Sequence, residues 1–273
     1  MSRYIDGVPT PTKTRGVKMA VLSQSRSGTL GIYSACNMLG YHAYHTLEAF
    51  KQGVHHMKML NEALGAGLQH RGKPFTRGDF DKWFADYDVI TEVPAYMAAD
   101  FIAAYPEAEY LLVERDPDAL VRSWKATTFQ FAAAVNSLPL SILKYFDPLL
   151  REVARFCDII LPAVTDGKGV SPDGEKALRR YYIDYLARVK ELVPAEKLHV
   201  VRLEDGLGWE QLCPVLGEDV PDQKWPTRHS ADEFKVIMGA PLVTGARGAM
   251  VKLTTLSVAI LGVGAYLVMS YRR

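Results

Sequence analysis

Cysteine is scarce in this chain. Cys36, Cys157 and Cys213 are its three cysteines, far apart and without a CxxC pair. That usage fits a reducing compartment and argues against a disulfide scaffold or a zinc site. Each is read as a small packing residue, and no His/Cys cluster suggests another metal. Net charge is also lacking: 32 Lys and Arg stand against 31 Asp and Glu, a formal charge of +1. No broad nucleic-acid-binding surface is therefore expected. Residues 1–16, MSRYIDGVPTPTKTRG, contain no apolar core of the kind a secretory signal needs. Their Pro, Thr and Gly content implies a flexible arm. The GxxxxGK[ST] pattern of nucleotide hydrolases is missing too. No lysine follows Gly28, and Leu30 stands where a magnesium-holding hydroxyl is expected. An ordinary ATP or GTP hydrolase is thereby disfavoured.

What the chain does have is ample apolar material, 48% of its residues, arranged in alternating short runs and helical patterns. Val17 to Leu22, Tyr87 to Thr91, Glu107 to Glu114 and Leu198 to Leu203 read as strands. Helices are expected after the first of these, with Ile32, Ala35, Cys36 and Leu39 on one face and an end at Gly40. Others are expected over 97–104, from Asp116-Pro117 to about Lys125, over 138–163, over 174–192 and over 209–216. Strands alternating with helices imply a parallel sheet covered on both faces. Residues 218–248 read as an irregular segment wrapping back over a single domain, 17–248. Beyond it, 253–271 is an uncharged run, LTTLSVAILGVGAYLVMSY, between Lys252 and Arg272. As a helix it would span about 28 Å at 1.5 Å per residue, close to a bilayer core of roughly 30 Å. Residues 249–273 are therefore expected to be a single-pass C-terminal membrane anchor, with the domain left in the cytosol.

The stretch after the first strand, Ser23-Gln24-Ser25-Arg26-Ser27-Gly28-Thr29, has the form of an anion cradle. Backbone N–H groups of the loop and of the following helix N-terminus would face the ligand, and the helix dipole adds positive potential. Gly28 lets the backbone approach closely. Arg26 contributes charge, and the Ser27 and Thr29 hydroxyls contribute donors. The bland alternative is a plain strand-to-helix turn with a serine cap.

Three blocks in order resemble the sulfotransferase superfamily, and in particular its fungal and microbial P-loop branch. The first is Arg26-Ser27-Gly28-Thr29 followed by Leu39-Gly40-Tyr41 and Tyr44-His45. The second runs FDKWFADYDVITEVPA over 80–95 and YPEAEYLLVERDPDALVRSW over 105–124. The third is GWEQLCPVLGEDVPDQKWP over 208–226. The resemblance covers roughly 20 to 226. It implies an α/β, three-layer, P-loop NTPase-like fold with a central parallel sheet, to which the C-terminal run would add a transmembrane helix. It also implies 3′-phosphoadenosine 5′-phosphosulfate (PAPS) as cosubstrate and no metal. By that resemblance Arg26, Ser27, Gly28 and Thr29 hold the 5′-phosphosulfate, while Arg115 and Ser123 hold the 3′-phosphate. A strand-end Arg beside a helix N-terminus suits an anion on physical grounds as well; otherwise Arg115 pairs with Asp116 or Asp118.

Sulfuryl transfer to a hydroxyl needs a proton acceptor. Glu92 occupies the place of the base that the family carries at the end of the middle strand. A carboxylate serves best there if partial burial raises its pKa; otherwise Glu92 is a structural partner of a nearby Arg or Lys. His45 is a second candidate base, and His229 a weaker one. Arg26 would stabilise charge on the leaving phosphate. Tyr96, Phe101, Trp124, Phe129 and Phe131 are candidates for an apolar acceptor pocket, and a membrane anchor favours a lipophilic acceptor. The expectation is thus a PAPS-dependent sulfotransferase acting on a small lipophilic hydroxyl compound. The sulfated species is either product or an intermediate set up for elimination or cyclisation. The alternative is an inactive, membrane-tethered nucleotide-binding or scaffold protein of the same fold.

Overall fold

The computed structural model describes residues 2–226, 236, 239–240, 242–255, 263 and 270–271. In chain order the elements are β1 (Met19–Val21), α1 (Thr29–Met38), β2 (Ala43–Tyr44), α2 (Thr46–Lys51), α3 (Val54–Gln69), α4 (Arg77–Phe84) and β3 (Val89–Thr91). There follow α5 (Ala98–Ala104), β4 (Glu109–Glu114), α6 (Pro117–Ala126), α7 (Thr128–Val135), α8 (Leu140–Leu143), α9 (Pro148–Val164), α10 (Pro172–Leu192), β5 (Leu198–Arg202) and α11 (Trp209–Leu216). The five strands form one sheet in the order β2-β3-β1-β4-β5, and every adjacent pair is parallel.

Both faces of the sheet are covered, which is why its central strands read as unbroken apolar runs. Ala20 and Leu22, Ile90, and Tyr110 and Leu112 point into a large core built with α3, α4, α5, α9 and α10. Met19 and Val21, Val89, and Leu111 and Val113 point the other way, against Ile32, Ala35 and Cys36 of α1 and Trp209, Leu212 and Cys213 of α11. All three cysteines are buried and free.

The strand order reverses at β1. From β1 the chain moves out to β2 and returns to β3 on one side, then crosses to β4 and β5 on the other. In open parallel sheets the crevice beyond the carboxyl ends of the strands at such a point is where ligands bind. The loops that follow β1, β2, β3 and β4 all open there.

Some expectations change. The helix expected over 138–163 is two helices, because Asp147 caps a new start at Leu150 N and Pro148 takes its first position. Residues 242–248 belong to a helical stretch, 242–255, rather than to irregular chain. Leu242 and Ala249 are buried against the main core. The arm is held at its start: Arg3 pairs with Asp79 at 2.9 Å, Tyr4 and Ile5 donate their N–H groups to Glu62, and Ile5 is buried. Among the described residues no helix is long and apolar enough to cross a membrane. This overturns the expected C-terminal transmembrane helix and the single-pass membrane localisation, and leaves the membrane as a partner without support. Most of 253–271 lies outside the described residues.

Candidate functional site

The loop after β1 is clamped before any ligand arrives. Ser23 Oγ accepts from Val113 N at 2.6 Å, Leu22 O from Tyr185 OH at 2.6 Å, and Ser25 O from Trp124 Nε1 at 3.0 Å. Arg26 sits at φ 73°, a left-handed conformation that disfavours any Cβ. Its carbonyl accepts from Arg115 Nη1, and its own Nε donates to Ser123 Oγ at 3.1 Å. Gly28 follows at φ 83° as the N-cap of α1, with no side-chain cap on the helix. The first N–H groups of α1 therefore have no intrahelical acceptor.

A cavity of about 240 Å³ opens over this loop, at the carboxyl ends of the strands. Arg26, Gly28, Thr29, His45, Glu92, Arg115 and Ser123 all line it. Ser123 reaches it from α6, and the others from just past a strand: Arg26, Gly28 and Thr29 after β1, His45 directly after β2, Glu92 directly after β3 and Arg115 directly after β4. Ser27 is the exception. It is buried off the cavity wall, and its N–H turns back to Gln24 O at 3.1 Å. His229 lies outside the described residues. Of the aromatic candidates, Tyr96, Trp124 and Phe131 are on the wall, whereas Phe101 and Phe129 are wholly buried core. Asp116 caps α6 and Asp118 pairs with Arg179, so both carboxylates proposed as alternative partners of Arg115 have other tasks.

Glu92 is the most constrained group in the site. Its φ of 66° and ψ of −51° fall near the strained γ-turn region, and conformations of this kind cluster at active sites. Its Oε2 accepts from His45 Nε2 at 2.7 Å and from Thr29 Oγ1 at 2.9 Å. Its Oε1 accepts from Thr46 Oγ1 at 2.9 Å. Burial alone would push its pKa up, but the hydrogen bonds from His45, Thr29 and Thr46, with attraction to the His45 ring when that ring is charged, outweigh it and hold the carboxyl below the usual range. Burial thus does not raise the pKa here, because three donors converge on one carboxylate. Thr46 carried no signal in the sequence, since β2 is too short to show a strand pattern. Thr29 spends its hydroxyl on Glu92, so what it offers an anion is its N–H.

The residues fit an anionic ligand. Burial lowers the pKa of the Arg26 guanidinium; Glu92 opposes this and the neighbouring Arg115 adds to it. A bound phosphate or sulfate would relieve both the burial and the repulsion between the two cations. At Gly28 an added Cβ would stand 2.8 Å from Leu207 Cδ2 and 3.3 Å from Leu203 Cδ1. Gly28→Ala is expected to cost about 1–2 kcal/mol for the left-handed conformation, read as a drop of a few degrees in Tm. Affinity for an anion should fall further than stability, because the loop that carries the N–H groups must shift. Among the described residues no group of three or more His, Cys, Asp or Glu side chains could hold a metal ion.

A parallel α/β sheet whose first strand leads into an arginine-bearing loop and an uncapped helix start, with a carboxylate after the third, makes a site suited to an anionic ligand. A family model of the sulfotransferase domain matches residues 18–234, and the chain belongs to the sulfotransferase family. It is similar to a curated protein of Aspergillus versicolor named Ava biosynthesis cluster protein M, 29% identical over 223 residues that cover 77% of this chain and 80% of that protein. A sulfotransferase structure from Alicyclobacillus acidocaldarius aligns over 83% of this chain and 93% of its own at 13% identity and a TM-score of 0.42.

Proposed function

We propose that this protein transfers a sulfuryl group from PAPS to the hydroxyl of a small lipophilic acceptor. The supporting observation is the meeting of Arg26, Arg115, Ser123 and Glu92 on one cavity whose remaining wall is largely apolar. Arg26 and the N–H groups at the start of α1 would hold the 5′-phosphosulfate, with Gly28 leaving room for it. Arg115 and Ser123 would hold the 3′-phosphate. Leu47, Phe131, Phe156 and Ile160 line the same space and suit an apolar acceptor. That argument replaces the one from a membrane anchor.

Bound there, the donor supplies a sulfuryl group whose sulfur is attacked by the acceptor oxygen as the bridging S–O bond breaks, leaving 3′-phosphoadenosine 5′-phosphate. Glu92 takes the proton that the acceptor oxygen loses. Arg26 stabilises the charge that builds on the departing phosphate, as a fixed planar cation rather than a proton donor. Leu30 places an apolar side chain on the wall where a hydroxyl is common, so backbone N–H groups carry more of the phosphate contacts.

The test is calorimetric binding of 3′-phosphoadenosine 5′-phosphate and of 5′-AMP to the full chain, followed by transfer from labelled PAPS to a panel of phenols and apolar alcohols. Micromolar binding of the bisphosphate, much weaker binding of 5′-AMP, and a labelled product are expected. Binding without any labelled product would leave a nucleotide-binding protein of the same fold. Absence of binding by well-folded protein would overturn the reading.

A further inference from the structure

His45 and Glu92 are close enough to exchange a proton, so the geometry must say which of them is the base. His45 is the N-cap of α2, and its Nδ1 accepts from the backbone N–H of Leu47 at 3.0 Å. An accepting Nδ1 carries no proton, so the neutral ring has its proton on Nε2. That atom lies 2.7 Å from Glu92 Oε2 and donates to it. Neither ring nitrogen of His45 then has a lone pair turned toward an acceptor molecule in the cavity. The ring is also gripped from outside. Tyr33 of α1 lies against it, ring centroids 5.8 Å apart, and is itself held by Glu48 at 2.5 Å and by Lys51 at 3.3 Å.

Glu92 is filled unevenly. Oε2 takes two donors, from His45 and Thr29, while Oε1 takes one, from Thr46. A carboxylate oxygen has about two lone-pair sites, which leaves the second site of Oε1 as the open one. Building on the sulfotransferase reading above, we propose that His45 is a positioning residue and not a base: fixed with its proton on Nε2, it turns Glu92 so that Oε1 takes the acceptor's proton. As the acceptor's O–S bond forms, its O–H bond breaks and the proton moves to Oε1. It leaves from there to water through the open cavity once the product has gone, because His45 Nε2 is already protonated.

Two readouts test this. The groups that face Glu92 are His45 from α2, Arg26 from the loop after β1 and Tyr96 from the turn after β3; Tyr33 of α1 faces His45. In ¹⁵N-labelled full chain, the His45 ring signals, assigned by their loss in His45→Gln, should report a proton on Nε2 and none on Nδ1 at neutral pH. A proton on Nδ1 overturns the proposal, whether or not the protein proves to be a sulfotransferase. In turnover with PAPS, His45→Gln keeps an N–H donor within reach of Oε2 but cannot titrate. It should retain kcat within about tenfold of wild type, whereas His45→Ala should lose about 10- to 100-fold. In His45→Ala the acid limb of the kcat profile should move toward neutral pH, since Glu92 has lost a donor. Binding of 3′-phosphoadenosine 5′-phosphate should be unchanged in both variants. Loss of activity in His45→Gln as deep as that in Glu92→Gln, with nucleotide binding intact, would make His45 the base and overturn the proposal. A wild-type chain that transfers no sulfuryl group would instead defeat the functional reading, and the ring spectrum would still decide the state of His45.

Discussion

Glu92→Gln is expected to lower kcat by about 10²- to 10⁴-fold, the usual contribution of a positioned general base, while affinity for 3′-phosphoadenosine 5′-phosphate stays within about threefold. The substitution suits the site. Glutamine keeps an oxygen for His45 Nε2 and Thr29 Oγ1, and its amide can donate to Thr46 Oγ1, which now acts as acceptor instead of donor. The fold should therefore survive, and a Tm within a few degrees of wild type checks this. What is lost is the ability to take a proton at the position of Oε1. In wild type, three donors hold the Glu92 pKa below the usual carboxylate range. The carboxylate is then ionised throughout the neutral region, and activity should fall only when the pH drops below the usual carboxylate range. A weak base suffices because the acceptor hydroxyl grows more acidic as its bond to sulfur forms, so that proton transfer comes late. Unchanged turnover in Glu92→Gln would move the base elsewhere and remove the reason for the strained backbone at this residue.

How far the site could be read from the sequence follows from where its residues sit. Glu92 and Arg115, singled out through the family resemblance, each directly follow an apolar strand long enough to be recognised, β3 and β4, and both line the cavity. Arg26, Gly28 and Thr29, singled out because a polar loop with a glycine lies between β1 and α1, line it too. The helix over 209–216 matches α11, whose apolar face and Gly217 stop are explicit. The failures have physical causes too. β2 has two residues, Ala43 and Tyr44, too few for any periodicity. Its role is to deliver His45 and Thr46 to Glu92, and that comes from pairing with β3. The direction of the Glu92 pKa could not be read from the sequence, because the donors that oppose the effect of burial come from α1 and α2, 63 and 46 positions away. α3 has an apolar stripe through Met57, Leu60 and Leu64, but its contribution to the core depends on packing against α9, nearly a hundred residues further on. The C-terminal run misled for a different reason: an uncharged segment of spanning length is a compositional signal, and helix 242–255 that leads into it instead buries Leu242 and Ala249 on the domain.

Arg115→Ala should weaken 3′-phosphoadenosine 5′-phosphate by on the order of 100-fold, about 3 kcal/mol, as expected for a charge-assisted contact to a phosphate. Two effects combine in that figure. Arg115 stands directly after β4, with its N–H donated to Tyr182 OH at 2.8 Å, and it is placed to meet an anion beside Ser123. It also donates through Nη1 to the carbonyl of Arg26, and so steadies the left-handed residue on which the first anion site depends. The two effects separate with a second ligand. If Arg115 acts by holding the 3′-phosphate, affinity for 5′-AMP, which has none, should be little changed by the substitution. If it acts by holding the Arg26 loop, 5′-AMP should weaken in parallel. Arg115→Lys sharpens the distinction, since lysine keeps the charge but not the planar fork that reaches a phosphate and a carbonyl together. It should recover only part of the bisphosphate affinity. Equal bisphosphate affinity in wild type and Arg115→Ala would place the 3′-phosphate elsewhere, and Arg115 would then serve only to shape the loop after β1.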